Sequence, residues 1–127
     1  MKTVDSPKTI NGINVVNRGK DIFEELMRGH KVYHWEAGDS MTPILRNMEY
    51  CLLEPVSSLD DVKVGDAVFC RLNNVFMVHM VTMISDSAKA GKWFQISSTG
   101  GRIYGWTQEV FAIAKGTDIF ESHHNFF

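Results

Sequence analysis

Residues 66–84 read Asp66-Ala67-Val68-Phe69-Cys70-Arg71-Leu72-Asn73-Asn74-Val75-Phe76-Met77-Val78-His79-Met80-Val81-Thr82-Met83-Ile84. Two apolar runs flank a pair of asparagines. Branched and aromatic side chains fit a pleated, half-buried surface. Asparagine tolerates the positive φ that a tight two-residue turn requires. The stretch therefore predicts a β-hairpin with strands over 66–72 and 75–84. If Asn73-Asn74 is the turn, His79 shares a strand face with Val75, Met77, Val81 and Met83.

Working outward, the same short-strand pattern recurs. Val32-Tyr33-His34-Trp35 and Glu49-Tyr50-Cys51-Leu52-Leu53 are aromatic and branched runs bounded by turn formers. After the hairpin come a polar loop at 85–92, a strand over 93–97, the stretch Tyr104-Gly105-Trp106 and a strand over 110–114. One helix is expected, over 21–28. Ile22, Phe23 and Leu26 fall on one face, Asp21, Glu24 and Glu25 suit its N-terminal half, and Gly29 stops it. The first twenty residues are polar and turn-rich, with Asn11-Gly12, Arg18-Gly19 and room for a short strand at 13–16. Six or seven short strands and one helix make the chain mainly β. It divides into an N-terminal arm with the helix (1–30), a β domain (31–117) and a tail (118–127). No internal repeat or low-complexity stretch is present.

Composition narrows the function. At 127 residues the chain holds one domain with a real core. With 44% hydrophobic and 22% charged residues it has the balance of a folded globular protein. A net charge of −2 argues against a surface made mainly for nucleic acid. No run of 18 apolar residues exists to span a bilayer, and residues 1–9 lack the apolar core of a secretory signal. A cytoplasmic protein is expected. Cys51 and Cys70 are expected as reduced, buried thiols, with one disulfide as the alternative. No CxxC spacing points to zinc, and neither a metal nor another cofactor is expected.

One segment carries chemistry. In Gly38-Asp39-Ser40-Met41-Thr42-Pro43, glycine permits unusual dihedrals on one side of the serine and proline fixes the chain on the other. A serine nucleophile needs such an exposed turn, with backbone N–H groups nearby to hold an oxyanion. Taken alone, the segment is equally a plain turn.

GDSMTP followed by 44–50 resembles the G-x-S-M-x-P nucleophile segment of LexA-type self-cleaving repressors and type I signal peptidases. Val62-Lys63-Val64-Gly65-Asp66-Ala67-Val68 is similar to the second box of that family, in which a Gly-Asp pair opens the next strand. The hairpin ending at His79 resembles the stretch that ends in the catalytic base. The three boxes follow family order and cover residues 32–116. The resemblance implies a LexA C-terminal-domain-like fold of the β-clip type. It implies Ser40 as nucleophile, Gly38, Asp39 and Met41 as the oxyanion turn, and His79 as base. LexA-type and bacterial signal peptidases place lysine there, whereas archaeal-type and eukaryotic signal peptidases place histidine. The aspartate those histidine relatives carry in a Gly-Asp-Asn turn has no counterpart in Ser98-Thr99-Gly100-Gly101-Arg102-Ile103-Tyr104-Gly105-Trp106. Asp86, the nearest acid after His79, reads as a solvated loop residue. A Ser–His dyad and a triad completed by a hydroxyl or a carbonyl both stay open.

Other features weigh less. Ala37-Gly38 matches the bond that LexA-type proteins cut in themselves, but it lies only two residues before Ser40. His123-His124 is a doublet in the tail. Arg102 and Trp106 are expected to edge a peptide groove, or Trp106 simply packs the last hairpin. About thirty residues precede the first main strand, too few for a helix-turn-helix, so no specific DNA partner is expected. No membrane anchor is expected either. The functional expectation is a stand-alone peptidase of phage or prophage type, in a bacterial or phage-infected cell, acting on itself or on a protein or peptide partner. The alternative is a non-catalytic binding or assembly module on the same fold, working as a homodimer.

Overall fold

The computed structural model describes residues 8–36 and 49–115. Two short strands, β1 (Thr9–Ile10) and β2 (Ile13–Asn14), form a ribbon ahead of the helix α1 (Gly19–Met27). Strands β3 (Val32–Glu36) and β4 (Glu49–Pro55) follow, then a 3-10 turn at Leu59–Asp61. The hairpin strands are β5 (Ala67–Leu72) and β6 (Val75–Ser87). The last three are β7 (Gly91–Ser97), β8 (Ile103–Thr107) and β9 (Val110–Lys115). Seven of these strands form one antiparallel sheet in the order β3-β4-β9-β5-β6-β7-β8. The protein is mainly β, as its sequence predicts. Among the described residues no helix is long and apolar enough to cross a membrane.

The β5–β6 hairpin turns at Asn73 and Asn74, both with positive φ (51° and 65°). Leu72 pairs with Val75 and Val68 with His79. A tight turn feeds β5. The Lys63 N–H donates to the Asp66 carboxylate at 2.8 Å, the Asp66 N–H to the Lys63 carbonyl at 3.0 Å, and Gly65 takes φ +98°. That closed turn is why the Gly65-Asp66 pair opens a strand.

Three details differ from the sequence reading. The helix starts two residues early, at Gly19, which lies so close to Phe76 that a Cβ would come within 2.9 Å of the Phe76 Cβ. Strand β6 runs on to Ser87 and β7 starts at Gly91, so most of the expected loop at 85–92 is ladder, Asp86 included, which pairs with Lys92. The stretch around Tyr104-Gly105-Trp106 is itself a strand, β8. Gly105, a poor strand former, interrupts its pattern.

The sheet buries both faces. On one, Ile22 and Leu26 of α1 pack with Val32, Cys51, Leu53, Ala67, Phe69, Ala112 and Ala114. Burying an Ile or Leu side chain contributes about 1.5–3 kcal/mol, and that packing rather than helix propensity fixes a nine-residue helix. On the other face, Val68, Cys70, Leu72, Val81, Phe94, Ile96 and Val110 form a second cluster with Val62. Here the sheet curls over itself. Strand β8 lies three places from β5, yet the Thr107 hydroxyl donates to the Arg71 carbonyl at 2.7 Å, and the Arg71 N–H donates to the Glu109 carbonyl at 3.0 Å. Cys51 and Cys70 are buried thiols on opposite faces of the sheet, not joined to each other, so the disulfide alternative falls away.

Candidate functional site

His79 lies on β6 and faces the curled side of the sheet. Its neighbours in alternation, Met77 and Val81, pack with the second cluster, whereas Phe76, Val78 and Met80 pack toward the helix. A register shift between Val81 and Met83 ends the pattern: Met83 is exposed and Ile84 takes the inward place. The face predicted for His79 therefore holds to Val81 and fails at Met83.

The imidazole is half-buried, and burial pushes its pKa below the ordinary value of 6.5. Its Nδ1 is buried and, among the described residues, has no hydrogen-bond partner. The ring stacks on Tyr104, at 4.4 Å between centroids and 26° between planes. The guanidinium of Arg102 stands 5.3 Å from the centroid of the same Tyr104 ring. No carboxylate bonds to His79 among the described residues.

Local backbone chemistry places this group. Strand β7 ends opposite Met80 at Ser97, so the turn 98–102 begins beside His79. The turn closes on itself. The Ser98 N–H donates to the Arg102 carbonyl at 2.9 Å, and the Arg102 N–H donates to the Ser98 hydroxyl at 3.1 Å. The β7–β8 register then shifts, Ile96 pairing with Gly105 and Ser97 with Ile103, which leaves Tyr104 as the extra residue. An extra residue in a ladder bends the strand and re-aims its side chain. Here it turns Tyr104 inward against the second cluster, next to His79.

Arg102 and Trp106 do not share a groove. Trp106 lines a cavity of about 230 Å³ with Trp93 and Ser85. Since Phe94 and Ile96 point into the second cluster, Trp93 and Gln95 point the other way, and Trp106 pairs with Gln95. Trp106 thus lies on the face opposite His79, and Arg102 alone of the pair is near it. Sequence reasoning missed Tyr104 as a neighbour of His79, because a one-residue register shift leaves no trace in hydrophobic alternation.

Ser40, with Gly38, Asp39 and Met41, lies outside the described residues, as do the Ala37-Gly38 bond and His123-His124. Glu36 and Glu49 pair across β3 and β4, so the chain leaves one strand and enters the next at the same end of that ladder. The chain matches no protein-family model, no curated protein and no solved structure.

Proposed function

We propose that the chain is a LexA-like, signal peptidase-like serine peptidase of the stand-alone phage or prophage kind. In this reading it works in the cytoplasm on itself or on one protein partner. Ser40 is the nucleophile and His79 its base. The Ser40 oxygen attacks the scissile carbonyl while the imidazole takes its proton. The imidazolium returns that proton to the leaving amine, and water, activated by the same imidazole, hydrolyses the acyl-enzyme.

The observation that carries the reading is the state of His79. Leaving a buried polar atom unpaired costs about 1–3 kcal/mol, and such an atom calls for an explanation, a catalytic role among them. A desolvated imidazole, neutral at pH 7 and with a ring nitrogen unused, is the form a general base must take. The GDSMTP segment supplies the group whose proton it would accept.

The second reading, a non-catalytic binding or assembly module, draws on the exposed Trp93, Trp106 and Met83 on the far face of the sheet. Incubation of wild type and Ser40→Ala with host or phage lysate, followed by mass spectrometry of new protein termini, separates the two. The peptidase produces cuts that Ser40→Ala lacks. Identical termini from both proteins would overturn the peptidase and leave the module.

A further inference from the structure

The geometry points to Tyr104 as the positioning residue of the base: its ring, stacked on His79 and carrying the Arg102 guanidinium, holds the imidazole plane in place of the carboxylate that orients histidine in other serine hydrolases. The inference rests on the peptidase reading and deepens it, since it says how a base without a carboxylate is kept in one orientation.

An imidazole used as a base needs its ring plane fixed, because an unoriented ring rarely presents its nitrogen to the nucleophile. A hydrogen-bonded carboxylate does this in the Ser-His-Asp arrangement. His79 has no such bond among the described residues, and its rotation about the Cβ–Cγ bond would be free were it not packed. A ring at 4.4 Å and 26° removes that freedom by contact alone. Tyr104 is itself held. The register shift at Ile96/Ser97 fixes its direction, and Gly105 after it takes φ +146° and lies against Leu72, where a Cβ would come within 3.3 Å of Leu72 Cδ1. The Arg102 guanidinium over the ring adds a cation–π contact, and its backbone is tied twice to Ser98.

Among the described residues the groups facing His79 are few. Val68 lies opposite on β5, Met77 and Val81 flank it on β6, and Ser98 heads the adjoining turn with its hydroxyl engaged by the Arg102 N–H. On β8 there is Tyr104, and the charged group of the set among the described residues is Arg102. A carboxylate would favour the imidazolium, whereas an aromatic ring that excludes water favours the neutral form. The stack therefore orients the base without making it cationic at pH 7.

Two readouts test this on the full chain with Tyr104→Phe and Tyr104→Leu. The first is the NMR titration of the His79 Cε1–H, whose resonance a stacked ring displaces upfield. The second is the rate at which a fluorophosphonate probe labels Ser40, followed by intact mass. Tyr104→Phe keeps the ring and is expected to keep both the upfield resonance and the labelling rate. Tyr104→Leu is expected to lose the upfield displacement, to raise the His79 midpoint toward the ordinary value, and to slow labelling by about 10- to 100-fold. Wild-type titration and labelling in Tyr104→Leu would overturn the assignment, as would a Tyr104→Phe protein as slow as Tyr104→Leu. Should wild type itself leave Ser40 unlabelled, the peptidase reading fails with it. The NMR arm still reports separately whether Tyr104 fixes the ring.

Discussion

The two faces of the seven-stranded sheet carry matching parts put to different ends. Toward the helix, Arg71 stands over Phe23, Phe76 and Phe111 at 5.3–5.7 Å, and its guanidinium is closed by Glu109 at 2.6 and 3.1 Å. The guanidinium there has both rings and a carboxylate, and the Glu109 carboxyl is held below its usual range by that arginine. On the curled face Arg102 stands over a single ring, Tyr104, and no carboxylate pairs with its guanidinium among the described residues. Behind that ring lies a histidine whose Nδ1 has no hydrogen-bond partner among the described residues. The helix side closes cation, rings and carboxylate into one cluster, whereas on the curled face the His79 Nδ1 has no such partner among the described residues.

Truncating the core separates the faces first. Phe69→Ala on the helix side and Phe94→Ala on the curled side should each cost about 3–5 kcal/mol in urea unfolding, since both side chains are almost wholly buried. They should differ at His79. Phe94→Ala loosens the packing under Tyr104 and weakens the upfield displacement of the His79 ring proton, whereas Phe69→Ala leaves that resonance in place. Equal effects on His79 would erase the distinction.

Gly105→Ala acts on the curled face alone. A left-handed φ and a Cβ pressed on Leu72 should cost about 1–3 kcal/mol in thermal or urea unfolding. The shift that aims Tyr104 should relax with it. A fully stable Gly105→Ala protein would show that the turn of β8 is not held by this glycine.

Acid should act through the histidines before the carboxylates. Burial holds both His34 and His79 below 6.5. Between 6.5 and those lower values the unfolded chain binds more protons than the folded one, so stability is full above 6.5 and falls as pH drops through that window. The depressed carboxyls of Glu25, Glu54 and Glu109 lose their contribution only below 4.5, as pH falls through their folded values. Urea midpoints measured between pH 7.5 and 5 should therefore decline, and His79→Phe should flatten part of the decline. A flat profile in wild type would contradict the burial of both imidazoles.

Much of this fold is legible in the sequence wherever residues repeat with period two. The Asn73-Asn74 hairpin, β3, β4, β7 and β9 follow from branched and aromatic runs between turn formers, and the helix from Ile22, Phe23 and Leu26. What stays hidden is set by contacts between distant segments. Position 19 takes glycine because Phe76 packs on it. Strand β8 hides behind Gly105, a poor strand former locally that the curl over Leu72 requires. The site divides the same way. His79 is picked out by the resemblance of residues 71–79 to a stretch that ends in a base, while Tyr104 reaches it through a register shift that no local pattern encodes. Trp106 shares a stretch with Arg102 yet points to the other face, because the shift between them reverses the alternation.

The central claim is that Ser40 and His79 act as nucleophile and base, and labelling of Ser40 by a fluorophosphonate across pH, in wild type and in His79→Ala, tests it most directly. The account predicts a single adduct at Ser40 whose rate rises with pH to a plateau, with a midpoint below 6.5 because burial keeps the imidazole neutral. His79→Ala should slow that labelling by about 10²–10⁴-fold. No adduct at any pH, or equal rates with and without the imidazole, would contradict it.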